Sequence, residues 1–233
     1  MFQGFSKETG EFLWELSFHN ERPWFLEHKE QFERVLNEPF KALARETGAL
    51  LQARFPEMAI QGHVSRIYRD ARRLFGRGPY KDHLWYTLWD SAGGKDGPAF
   101  WFEIGAATYV YGMGYFEASP AAMELFRRSV DAEPARFARL AEEIEALGGY
   151  RVIGPRYARP KGDYDEPVAD WYERKWVGVE TVRDLEGEAF SPALPGVLAD
   201  AFTELMPMYR FLLEVHLAAG RAGKPEEKER PHG

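Results

Sequence analysis

The chain has 233 residues, 45% apolar and 15% aromatic, enough for one large domain or two small ones with a packed core. Its net charge of −7 argues against bulk nucleic-acid binding, and the lack of cysteine excludes disulfides, thiolate nucleophiles and Cys-ligated zinc. No apolar run reaches the roughly 18 residues of a membrane span, no basic-then-apolar leader opens the chain, and the cysteine-free composition fits a reducing cytoplasm.

Ser6 reads as the N-cap of a first helix whose apolar face carries Phe12, Leu13 and Leu16, with Gly10 a weak point. Asn20, a strong N-cap, then precedes Pro23, which belongs in a helix's first turn, so a second helix is expected from about residue 21. Trp24, Phe25, His28, Phe32, Val35 and Leu36 keep helical spacing until Pro39 breaks or kinks it. A third helix carries Phe40, Leu43, Thr47, Leu50 and Leu51 and stops before Pro56. From Ile60 to Arg69 the period becomes two, which predicts a strand with Arg66 and Arg69 on opposite faces unless a bulge intervenes at its end.

Gly76, Gly78 and Pro79 mark a loop, and Leu84 to Trp89 reads as a strand. Residues 91–98 form a turn cluster. Phe100 to Ile104 and Thr108 to Met113 read as a hairpin joined by Gly105-Ala106-Ala107. Four successive strands suggest an antiparallel or mixed meander. Ser119-Pro120 and Glu133-Pro134 each start a helix, and Gly148-Gly149 ends the second. Tyr150 to Ile153 and Trp176 to Val182 read as strands on either side of a Pro/Gly-rich excursion at 154–167. A long final helix runs from Val197 to Val215 with a strained point at Pro207, and the charged residues 221–233 are expected to be disordered. No internal repeat or dividing linker occurs, so one α+β domain over residues 1–220 is expected, its sheet flanked by N- and C-terminal helices.

The stretch Arg66 to His83 carries five arginines and one lysine against two aspartates, a charge of +4, so the rest of the chain carries −11. A concentrated cationic patch on an acidic protein predicts a site for an anionic group. Arg66, Arg69, Arg72 and Lys81 are the expected ligands of a phosphate or carboxylate, because guanidinium forks bind such groups through paired hydrogen bonds. Tyr80 would add a hydroxyl donor. The bland alternative is a set of surface arginines paired with nearby acids, each worth roughly 0–1 kcal/mol. Asp70 reads as an arginine orienter rather than a base or metal ligand, since flanking arginines weaken it as a base. His83 could shuttle a proton, and Glu103 could reach the same cleft or partner an arginine. Trp85, Tyr86 and Trp89 read chiefly as core, with base stacking the alternative. His19 and His28 lack metal-ligand spacing. No phosphate loop, dinucleotide fingerprint or nucleophile elbow occurs, so the residues imply no cofactor.

Arg66-Ile67-Tyr68-Arg69-Asp70, then Arg72, Pro79-Tyr80-Lys81 and His83, resemble the signature of a bacterial family catalogued as domain of unknown function 2461. The Asn20 to Phe25 segment resembles its N-terminal motif, and Gly112-x-Gly114 followed by a helix with Arg127 or Arg128 fits its pattern. The resemblance spans roughly residues 2–217. Its usual lysine-containing loop is replaced here by Arg73-Leu74-Phe75-Gly76-Arg77-Gly78. It implies the fold span and the importance of the signature, and no reaction. Three functions remain open from the sequence: an anion-binding protein or enzyme using arginine charge stabilisation, a single-strand nucleic-acid module, and a structural protein whose arginines only stabilise the fold.

Overall fold

The computed structural model describes residues 1–222 except 71, 73 and 75. The expected tail from 223 onward lies outside the described residues; 221 and 222 belong to the last helix. Five helical elements and a sheet strand come first: α1 (Lys7–Phe18), α2 (Arg22–Glu27), α3 (Lys29–Phe32), a π-helical turn (Glu33–Asn37), α4 (Glu38–Arg54) and β1 (Ile60–Val64). Pro39, expected to break or kink the second helix, marks the boundary where α4 begins and sits in its first turn, where its missing N–H costs nothing. Glu21, not Asn20, is the N-cap of α2.

β2 (Leu84–Asp90), β3 (Ala99–Ile104) and β4 (Thr108–Tyr115) follow as expected, then α5 (Pro120–Ala132) and α6 (Pro134–Leu147). β5 (Arg151–Ile153), α7 (Val168–Tyr172), β6 (Val177–Asp184), a 3₁₀ turn (Gly187–Phe190) and α8 (Leu194–Ala222) complete the chain. α8 continues through Pro207. The strands form one sheet, in the order β1-β2-β3-β4-β6-β5, with every pairing antiparallel. The fold is therefore a single α+β domain. Among the described residues no helix is long and apolar enough to cross a membrane.

Alternation along the strands decides which face is covered. Leu84, Tyr86 and Leu88 of β2 and Phe100, Phe102 and Ile104 of β3 are buried. Phe102 packs on Phe5 and Phe40, and Phe100 stacks between Phe202 and Tyr209 of α8. The intervening residues Trp85, Thr87, Trp89, Trp101 and Glu103 are only half-buried. The two faces thus differ sharply in cover. One forms the core with α4 and α8, and the other is a concave surface.

The strand expected over Ile60 to Arg69 ends at Val64. Beyond it the chain leaves the sheet as an arm that folds back on itself. Tyr68 bridges Tyr80, Arg69 N–H donates to Pro79 C=O at 2.8 Å, and Lys81 N–H donates to Ile67 C=O at 2.7 Å. Arg66 and Arg69 therefore sit on this arm and not on two faces of a strand.

Candidate functional site

The arm is tied to the N-terminal helices through Asn20. Its Oδ1 accepts from Tyr80 N–H and its Nδ2 donates to Tyr80 C=O, both at 2.9 Å. The side chain thus acts as a short piece of backbone for the arm. Gly78 lies so close that a Cβ there would stand 2.3 Å from the Asn20 amide. The Tyr80 ring is buried, stacked on Phe25 at 4.1 Å, and burial, with Tyr68 next, raises its pKa. Its backbone carbonyl also accepts from Arg69 Nε at 2.7 Å.

The expected cationic residues divide into three kinds. Arg69 is a half-buried latch, bonded to Tyr80 C=O and 3.4 Å from Asp82 Oδ1. Arg72 is 88% exposed and holds Asp70 through both carboxylate oxygens, at 3.0 and 2.8 Å. Asp70 is therefore an arginine partner, as expected, and its hydrogen bond raises the Arg72 pKa. Arg66 is exposed, and its guanidinium makes no hydrogen bond or ion pair among the described residues. Only Lys81 turns toward the concave face: its Nζ lies 5.8 Å from the Trp85 ring centre and donates to Arg66 C=O at 2.6 Å. Burial, with Arg69 adding to it, lowers the Lys81 pKa; Glu103 acts the other way.

His83 continues the same arm, with Nδ1 2.9 Å from Asp82 Oδ1. Burial alone would raise the Asp82 carboxyl. The His83 hydrogen bond, the Asp82 backbone and the charges of His83 and Arg69 outweigh it and hold the carboxyl below its ordinary range. Arg69, Asp82 and His83 thus form a short chain of polar contacts at the end of β2.

The concave face carries a cavity of about 790 Å³. Trp85, Trp89, Trp101 and Phe116 wall it, and Glu103 and Glu180 lie in it, with His63, Lys95 and Glu117 also on its lining. Strand register aligns one row across all six strands: His63, Thr87, Trp101, Gly112, Glu180 and Arg151. Gly112 fills its place because a Cβ there would stand 1.9 Å from the Val179 carbonyl oxygen. Arg151 holds Glu180 Oε1 through Nε at 2.9 Å and Nη2 at 2.5 Å. Glu103, one step along the sheet, has no hydrogen bond or ion pair among the described residues. Burial raises its pKa; His83 then opposes, Glu180 and Asp82 raise it further, and Lys81 lowers it. The indole N–H of Trp101 is buried with no acceptor among the described residues, a condition that ordinarily costs about 1–3 kcal/mol.

Arg66, Arg69, Arg72 and Lys81 therefore do not line one recess. The charges of Lys81 and His83 act on Glu103, which lines the cavity, although neither Lys81 nor His83 is among the lining residues. Trp85 and Trp89 wall the cavity instead of filling the core, and of the three aromatics only Tyr86 is fully buried. Trp101, Glu180 and Arg151 were not foreseen. The alternation around Trp101 placed it on a strand face, but the pairing of residue 151 with residue 180 depends on strand order. Arg127, expected from the motif, is buried and spends its guanidinium on the carbonyls of Met123, Tyr172 and Arg174. Among the described residues no cluster of His, Asp or Glu could hold a metal ion.

A search of the curated proteins finds no match. A family model described as a conserved hypothetical protein, domain of unknown function 2461, matches residues 8–211. The chain belongs to that family, and the match takes in the arm, the sheet and most of α8.

Proposed function

We propose that the chain binds a small anionic molecule in the sheet-face cavity. Its ring-bearing part lies against Trp85, Trp89 and Trp101, and its phosphate or carboxylate lies at the Lys81 end. The observation carrying this reading is the place of the Lys81 ammonium, half-buried and 5.8 Å from a tryptophan that lines a cavity of about 790 Å³. Such a volume suits a small ligand. Three glutamates in the lining oppose an anion, but Arg151 neutralises Glu180, and burial pushes Glu103 toward its neutral form. Lys95 supplies a second cation on the lining, and Arg66 extends the charge along the arm. In this reading Arg69, Arg72 and Tyr80 shape the arm rather than touch the ligand. We place the protein in the cytoplasm, which its lack of cysteine supports.

The test is thermal shift with sugar phosphates, nucleotides and carboxylates. Ligand at 100 times its Kd stabilises by about 2.7 kcal/mol. Lys81→Ala and Trp85→Ala should abolish the shift, and Arg72→Ala should leave it. Loss with Arg72→Ala, or full retention with Lys81→Ala, contradicts the reading.

Single-stranded nucleic acid is the second reading. It is favoured by the stepped row of Trp85, Trp101 and Trp89, in which Trp101 stands opposite Thr87, midway between the other two. The glutamates beneath that row weigh against a continuous polyanion. Binding that weakens steeply with salt would favour this reading, and no binding at low salt removes it.

A further inference from the structure

Two carboxyl groups share the cavity in opposite surroundings. Glu180 is gripped by Arg151 through Oε1 alone, at 2.9 and 2.5 Å, which leaves Oε2 without a protein partner among the described residues. Glu103 lies in the same cavity with no hydrogen bond or ion pair on its carboxyl among the described residues, and Lys81 and His83 act on it through their charge. Trp85, Trp89 and Trp101 line the same cavity. Flat apolar tryptophan faces beside carboxyl groups match the C–H faces and hydroxyls of a sugar ring.

We propose that Glu103 and Glu180 are an acid–base pair acting on a glycosidic bond, with Glu103 carrying the proton and Glu180 ionised. This rests on the reading that the cavity binds a ligand, and it specifies that ligand as a sugar bearing a phosphate or carboxylate. Glu103 gives its proton to the departing oxygen as the bond from that oxygen to the sugar carbon breaks. A water oxygen forms the new bond at that carbon, and Glu180 Oε2, the oxygen Arg151 leaves free, takes up the water's proton; Arg151 weakens Glu180 as a base, but bonding to the positively charged carbon makes that proton strongly acidic. Glu180 also faces the positive charge that develops on the ring. One water is consumed and nothing is oxidised or reduced; solvent returns the proton from Glu180 to Glu103.

The surroundings of Glu103 support the assignment. Burial is the main influence raising its pKa; Glu180 and Asp82 act in the same direction, and His83 and Lys81 oppose them. Two carboxyls whose environments separate their proton affinities are the arrangement from which acid and base roles follow.

The experiment has two arms. In the first, ¹³C-labelled glutamate side chains are titrated by NMR. Glu103 should titrate above the other glutamates, and Glu180→Gln should lower its midpoint. An ordinary midpoint for Glu103 overturns the proposal. In the second, methyl and nitrophenyl glycosides, including 6-phosphate and uronic acid forms, are assayed with wild type, Glu103→Gln and Glu180→Gln. Each variant should lose about 100-fold or more in kcat. Glu103→Gln should lose far more on methyl than on nitrophenyl substrates, because only the poor leaving group needs the proton. No hydrolysis of any member overturns the proposal. If sugar phosphates still shift the melting temperature, the ligand-binding reading survives that failure; if nothing in the panel binds, both fall.

Discussion

Replacing Asn20 by alanine should loosen the basic arm more than any change at its arginines. The Asn20 amide makes two 2.9 Å bonds to the backbone of Tyr80, in a partly buried place. Tyr80 C=O would keep its bond from Arg69 Nε, so on the acceptor side only the net value of one bond is lost, about 0.5–1.5 kcal/mol. Tyr80 N–H would lose its acceptor outright, at about 1–3 kcal/mol. The sum is about 1.5–4.5 kcal/mol, toward the lower end if water enters the vacated space. For a chain of this size, each kcal/mol moves Tm by about 2–4 °C. Urea denaturation should report the loss, and hydrogen exchange should find the Tyr80 amide among the most deprotected. Asn20→Asp keeps the acceptor for Tyr80 N–H but sets a second acceptor oxygen against Tyr80 C=O, so it should also destabilise while leaving the Tyr80 amide better protected than in Asn20→Ala. A change within about 0.5 kcal/mol, the usual range for a surface substitution, with Tyr80 still protected, would refute the role given to Asn20.

Other outcomes follow from the same contacts. Glu103→Gln should raise stability at neutral pH and leave it unchanged in acid. Folding raises this carboxyl's pKa, so the native state binds more protons and wild-type stability falls as pH climbs from the ordinary glutamate range to the raised value. Melting curves from pH 4 to 8 check this, and a pH-independent gap contradicts it. Asp82→Asn should behave oppositely. Its native pKa is depressed, so the stability it contributes is present above the ordinary aspartate range and lost as pH falls through the native value; the variant should be weaker than wild type at pH 7 and equal to it in strong acid. Gly112→Ala must move the Val179 carbonyl from a 1.9 Å clash and should cost about 1–3 kcal/mol or more by denaturant melting. Arg72→Ala, at an exposed surface pair with Asp70, should leave the unfolding midpoint nearly unchanged.

Much of the framework was legible because its signals are local. Ser119 with Pro120 announced α5, and the Ser119 hydroxyl does accept from Ala122 N–H at 3.1 Å. Alternation at 84–89 and 100–104 located β2 and β3. The arm was misread as strand because Ile60 to Arg69 keeps a period of two after its pairing with β2 stops at Val64. Clustering of cations was visible in the sequence, but their targets were not. Arg72 found an aspartate two residues away, while Arg69 found Asp82 and Tyr80 across the arm. The cavity depended on which face α4 and α8 would leave uncovered, and on β6 inserting between β4 and β5. Both are non-local facts that no stretch of the chain carries alone.

The central claim is that the uncovered sheet face, and not the arginine surface, receives the ligand. The most direct measurement is a titration of the seven tryptophan indole N–H signals with sugar phosphates, followed by ¹H–¹⁵N NMR. Saturable shifts should appear at Trp85, Trp89 and Trp101 and be absent at Trp14 and Trp171. Saturation that moves the Arg66 and Arg72 amides while every cavity indole stays still would contradict it.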